Sequence, residues 1–157
     1  MAISRALFSS DDQSWGTPWE FFNKLDEEFH FTIDVCATPE SAKCKRFYTK
    51  YDDGLKQDWT GETVFCNPPY GAKRIIPWLK KAWEEDALTV FLLPSRTDTI
   101  WFHEYLYHKA EIRFIKSRLK FMASSESKYA DRAPFGSIVA IIDNRNKLRL
   151  LKEMLTI

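Results

Sequence analysis

Short apolar, β-rich runs alternate with segments of helical apolar spacing along this chain, and that alternation predicts an α/β layer structure around a mostly parallel central sheet. A second observation sharpens the prediction. Two unusual segments, Asp34-Val35-Cys36-Ala37 and Asn67-Pro68-Pro69-Tyr70, fall at the ends of predicted strands, and the carboxyl ends of strands are where sheets of this class bind ligands. With 157 residues, 45% hydrophobic and 29% charged, the chain has the size and composition of one ordinary globular domain. We expect a single compact domain over residues 15–157, preceded by a flexible arm over residues 1–14.

The elements follow in order. Thr17 is a candidate helix cap with Pro18 in the first turn, and Phe21, Phe22, Leu25 and Phe29 recur at helical spacing behind it. Residues 31–35 read as a buried strand, followed by a polar, basic stretch around Lys43, Lys45 and Arg46 and a turn at Asp52-Asp53-Gly54. Residues 63–66 read as a second strand that stops at Asn67-Pro68-Pro69. Ile75, Ile76, Leu79 and Trp83 share one face of a helix, and residues 88–93 form a central strand. Residues 98–108 carry Trp101, Phe102, Tyr105 and Leu106 at helical spacing. Residues 112–115, 117–121 and 137–142 read as strands, and a terminal helix carries Leu148, Leu151 and Leu155.

Bulk properties exclude several functions. A net charge of +1 means that any affinity for a polyanion comes from local clustering. Cys36, Cys44 and Cys66 are odd in number and lack ligand spacing, so neither a disulfide framework nor a metal site is expected. No apolar stretch reaches signal-peptide or membrane-span length. The expectation is a soluble protein of the cytoplasm, without metal or membrane.

The segment Asn67-Pro68-Pro69-Tyr70-Gly71 carries the chemistry. An exocyclic amine is a poor nucleophile because its lone pair is delocalised into the ring, and acceptors placed at its two hydrogens favour a tetrahedral, nucleophilic nitrogen. Asn67 offers a side-chain oxygen and Pro68 a main-chain carbonyl. Two prolines restrict the backbone that holds them. Tyr70 offers a flat face for a base swung out of its duplex. A strand stop with a packed tyrosine is the plainer alternative.

These residues resemble the phage-type DNA N6-adenine methyltransferases, the Dam-like family, from about Trp15 to Ile142. Asn67-Pro68-Pro69-Tyr70 matches the family's catalytic motif, whose first position is Asp, Asn or Ser. The resemblance implies a Rossmann-like S-adenosylmethionine-dependent methyltransferase fold, with S-adenosylmethionine as cofactor and DNA, double-stranded, as partner. A phage origin would place the protein in the host cytoplasm. Trp15-Gly16-Thr17-Pro18 resembles a cofactor-contacting segment ahead of the first strand, so Trp15, Thr17 and Pro18 are candidates. Ile33-Asp34-Val35-Cys36-Ala37 resembles the first cofactor loop, which adds Asp34, Cys36 and Ala37. Asp53-Gly54-Leu55 and Asp58-Trp59 resemble the stretch that holds the cofactor's nucleoside, with Asp53 and Asp58 as hydrogen-bond acceptors and Trp59 flanking the adenine ring. Residues 113–121 and Pro134-Phe135-Gly136 also resemble family landmarks. The first loop lacks the glycines common in methyltransferases, and no acid between Ala37 and Asp52 is marked for the ribose.

Arg113, Lys116, Arg118 and Lys120, interleaved with Phe114, Leu119 and Phe121, form a basic and aromatic band suited to phosphates, with Arg96 at the rim. A charged strand edge is the alternative for that band. Specificity would come from loops, residues 124–132 among them. Two other readings stay open: an amino-methyltransferase acting on cytosine N4, RNA or a protein amide, and a non-catalytic DNA-binding protein on a decayed methyltransferase fold.

Overall fold

The computed structural model describes residues 15–122, 132–145 and 147–156. The expected arm over residues 1–14 and most of the loop over residues 124–132 lie outside them. Among the described residues five strands make one sheet: β1 (Ile33–Asp34), β2 (Thr63–Cys66), β3 (Leu88–Pro94), β4 (Glu111–Phe114) and β5 (Ser137–Asp143), in the order β1-β2-β3-β5-β4. Four helices accompany them: α1 (Trp19–Phe29), α2 (Ala72–Glu84), α3 (Ile100–Tyr105) and α4 (Lys147–Leu155).

Strand pleating sorts the apolar residues between the two faces. Val64 and Cys66 of β2, Phe91 of β3 and Ile138, Ala140 and Ile142 of β5 join Ile75, Leu79, Trp101 and Leu106 in one core cluster. Phe65, Val90, Val139 and Ile141 point the other way and pack with Phe22 and Leu25 of α1. The sheet is therefore covered by α1 on one face and by α2 with α3 on the other. All seven residues of β3 are buried, as a central strand covered on both faces requires.

The expectation of a mostly parallel sheet needs correction. β1, β2 and β3 pair in parallel, but β5 runs antiparallel to both β3 and β4. A parallel connection needs a crossover element, usually a helix. The described residues between β4 and β5 contain none, so the chain turns back and β5 enters reversed. β4 still points the same way as β1, β2 and β3, so four strands present their carboxyl ends at one edge.

Two element predictions also change. Residues 117–121 do not form a strand: Ser117 takes a left-handed backbone with φ 67°, which breaks the extension, and only isolated bridges follow, Lys120 to Arg132 and Met122 to Gly16. Thr17 does not cap α1. Pro18 is the capping residue and no side chain bonds to the first turn, because the Thr17 hydroxyl is engaged elsewhere.

The basic stretch after β1 has a structural duty. Asp34 donates its amide to the Arg46 carbonyl at 3.1 Å and accepts at its own carbonyl from the Tyr48 amide at 2.9 Å. This lays residues 46–48 along the outer edge of β1 and covers its unpaired groups.

Candidate active site at the strand ends

β2 ends at Cys66, and the next four residues cross the carboxyl edge of the sheet before α2 starts behind Gly71. Asn67 is half-buried at that edge. Its Nδ2 donates to the Trp15 carbonyl and to the Thr17 hydroxyl at 2.9 Å. Its Oδ1 is buried and has no hydrogen-bond partner among the described residues. A buried, unpaired acceptor costs about 1 to 3 kcal/mol, so this atom can take a hydrogen from a donor that the described residues do not supply.

Pro68 is buried and Pro69 half-buried. Tyr70 is fully buried at 0% exposure. Its hydroxyl donates to the Leu92 carbonyl at 3.2 Å, and burial pushes its pKa well up. Phe121 and Phe135 meet its ring edge-on, with centroids at 6.2 and 5.6 Å. Trp15 contacts the same two rings at 5.6 and 5.2 Å. The open face expected for Tyr70 is thus covered by aromatic neighbours from distant parts of the chain.

Backbone bonds hold that cover. Gly16 and Met122 exchange amide and carbonyl hydrogen bonds at 3.2 and 2.7 Å. A Cβ on Gly16 would lie 2.7 Å from the Met122 carbonyl oxygen, so only glycine permits the approach. Arg96 donates to the Tyr70 carbonyl at 3.0 Å and sits 5.7 Å from the Phe135 ring centroid, beside the candidate site.

The end of β1 lies on the same edge. Asp34 is 3% exposed and accepts from the amides of Cys36 at 3.3 Å and Lys43 at 3.1 Å. Burial raises its pKa to about 7 against the pull of those two amides and of the Lys43 charge. Its carboxylate therefore braces the loop over residues 36–43. Cys36 and Ala37 are half-buried in that loop. Burial, reinforced by the Asp34 charge, pushes the Cys36 thiol up to about 12, so it is no nucleophile at neutral pH. Asp53, with φ 54°, accepts from the Leu55 amide at 3.2 Å. Its turn is pressed onto the residue that follows β1: a Cβ on Gly54 would fall 2.2 Å from the Val35 carbonyl oxygen.

Three expected site residues are placed elsewhere. Asp58 is exposed, accepts from the Thr60 amide at 2.9 Å, and neighbours Lys81 and Glu85 beside the last turn of α2, the end remote from Asn67. Trp59 is fully buried. Its ring stacks on Trp78 at 6.2 Å, has the Lys81 Nζ 5.1 Å from its centroid, and donates from Nε1 to the Gly54 carbonyl at 3.0 Å. The ring is packed in the core. Arg113 is consumed by Glu28, through both terminal nitrogens at 2.6 and 2.7 Å, and by Glu111 at 2.8 Å. Those carboxylates raise its pKa and compete with a phosphate for its guanidinium.

Lys116, Arg118 and Lys120 are exposed and follow the carboxyl end of β4, on the site side of the sheet. The sequence reading missed Lys73 and Arg74, exposed in the first turn of α2 directly behind the motif. Their position at a helix start after Gly71 was the available signal. It also missed Phe121 and Phe135 as the covering of Tyr70, for which the sequence offers no local signal.

Among the described residues no helix is long and apolar enough to cross a membrane, and no group of three His, Cys, Asp or Glu residues could hold a metal ion. Comparison with known proteins gives consistent matches. The family model described as DNA N-6-adenine-methyltransferase (Dam) matches residues 4–154. The chain is 30% identical over 149 residues to a DNA N-6-adenine-methyltransferase of Haemophilus phage HP1, covering 82% of this chain and 85% of that one. It is also 30% identical over 159 residues to a DNA N-6-adenine-methyltransferase of Escherichia phage T1, covering 88% of this chain and 63% of that longer protein.

Proposed function

The chain belongs to the DNA N-6-adenine-methyltransferase (Dam) family, and we propose that it methylates the N6 amine of an adenine extruded from double-stranded DNA, with S-adenosylmethionine as donor. The carrying observation is Asn67. Its amide is anchored through Nδ2 while Oδ1 stays buried and without a partner among the described residues. An amine inside a stacked duplex cannot reach a buried atom, so the base must leave the stack. Asn67 Oδ1 then accepts one amine hydrogen and the Pro68 carbonyl the other, which localises the lone pair on nitrogen.

The carboxyl end of β1 fits the cofactor by its donor set. Asp53 spends one oxygen on the Leu55 amide and keeps acceptor capacity for a ribose hydroxyl or an adenine amine. Asp34 braces the loop that carries Cys36 and Ala37, and Trp15 and Pro18 remain cofactor candidates of this reading. Asp58 and Trp59 have no part in this. When bound, S-adenosylmethionine supplies an electrophilic methyl group. Tyr70 forms a wall of the site, and access to its ring requires Phe121 and Phe135 to shift.

Arg96, Lys116, Arg118 and Lys120, with Lys73 and Arg74, supply phosphate contacts around the strand ends. The partly parallel sheet, with one reversed strand near its edge, is taken as a Rossmann-like methyltransferase fold over one domain, residues 15–157. The host cytoplasm, where phage DNA is modified, is the setting this reading implies.

Transfer of labelled methyl from S-adenosylmethionine to duplex DNA, followed by nucleoside digestion, tests the proposal. N6-methyladenine is expected, and Asn67→Ala should cut the single-turnover rate by about a hundredfold, as for one oriented transition-state hydrogen bond. Label found only in N4-methylcytosine, RNA or protein would overturn the adenine reading. Cofactor binding without transfer to any acceptor would favour a decayed enzyme.

A further inference from the structure

Asparagine presents two nearly isosteric ends, a carbonyl and an amino group, and a half-turn about its last side-chain bond exchanges them. Only the carbonyl end can accept a hydrogen from an amine. Something must therefore fix which end of Asn67 faces the substrate. The Trp15 main-chain carbonyl lies against one end of the amide, and a carbonyl cannot donate. An amide turned the other way would set two oxygens against each other. The Thr17 hydroxyl takes the second Nδ2 hydrogen at 2.9 Å from a side chain only 3% exposed. Both amino hydrogens are then spent, and Oδ1 is left buried without a partner among the described residues. The Trp15 carbonyl is itself fixed, because the next residue, Gly16, is tied to Met122 through both its amide and its carbonyl.

We propose that Thr17 is a positioning residue for methyl transfer: with the Trp15 carbonyl, it orients the Asn67 amide so that Oδ1 faces the target amine. This rests on the reading of Asn67 as the acceptor. The arrangement accounts for asparagine at this position. An aspartate would place an oxygen, without a hydrogen to give, against the Trp15 carbonyl, although its other oxygen would be a competent acceptor. It also separates Thr17 from the cofactor, since its hydroxyl is buried against Asn67.

The test uses the full chain, with methyl transfer measured in single turnover at saturating S-adenosylmethionine and DNA, and with cofactor affinity by calorimetry. Thr17→Val should slow transfer on the order of tenfold while leaving affinity for S-adenosylmethionine and for DNA unchanged. Thr17→Ser, which keeps the hydroxyl, should restore the rate. In an Asn67→Ala background, Thr17→Val should cost nothing more. Asn67→Asp should be slow at neutral pH and gain rate as pH falls, because a protonated carboxyl can donate to the Trp15 carbonyl. Weakened cofactor binding by Thr17→Val with a full rate at saturation would make Thr17 a cofactor contact and overturn the proposal. Multiplying effects of the two substitutions would overturn it too. Asn67→Ala at the wild-type rate would remove the acceptor reading itself. A slow Asn67→Ala beside a full-rate Thr17→Val would overturn only the positioning role.

Discussion

Replacing Tyr70 by alanine separates two roles for the last residue of the motif. As an open stacking face, its loss would cost about 1 to 3 kcal/mol of binding to an extruded base and nothing in the free protein. The structure places the ring at 0% exposure, against Phe121 and Phe135, with its hydroxyl on the Leu92 carbonyl of β3. Truncating a buried aromatic side chain to alanine costs about 3 to 5 kcal/mol, transfer and cavity together. For a domain of this size that corresponds to a melting point lowered on the order of 10 °C. Tyr70→Phe keeps the ring and loses one hydrogen bond, about 0.5 to 1.5 kcal/mol. The assay is urea unfolding and calorimetry of the free protein, with DNA binding followed by 2-aminopurine fluorescence at the target position. An unchanged melting point for Tyr70→Ala together with a lost fluorescence signal would refute the packing argument and restore Tyr70 as a preformed stacking face.

Two further outcomes are expected. Asp34, raised to about 7 by burial from an unfolded value near that of a free carboxylate, binds its proton more tightly folded than unfolded. Its contribution to stability is therefore full below about pH 4 and is lost as pH rises through about 7. Unfolding free energy measured from pH 4 to pH 8 should show this fall, and Asp34→Ala should flatten it; parallel curves would count against the assignment. Lys120→Ala should weaken DNA binding and reduce the salt dependence by about one unit of slope, whereas Arg113→Ala, already neutralised by Glu28 and Glu111, should leave both unchanged. Equal effects of the two substitutions in a salt titration would contradict this.

Much of this protein is legible in its sequence because the signals are local. The apolar run of β3 and the full length of β2 follow from pattern alone, and the Asn67-Pro68-Pro69-Tyr70 motif declares an amine-activating geometry through the chemistry of its own four residues. What local pattern lacks is direction and distance. Alternation marks residues 137–142 as a strand but carries no information about which way it runs, so the reversal of β5 emerges only from its antiparallel pairing with β3 and β4. Asp58 and Trp59 lie close in sequence to Asp53, yet the chain between them passes under α2, and they end beside its last turn and within the core. The contact that defines the site joins Asn67 to Thr17 and Trp15 across 50 and 52 residues, and the cover over Tyr70 comes from Phe121 and Phe135. Such pairings are chosen by the packing of whole elements on the sheet, so the sequence by itself determined the chemistry on offer, and tertiary structure decided which atom of Asn67 the described residues leave without a partner for the proposed reaction.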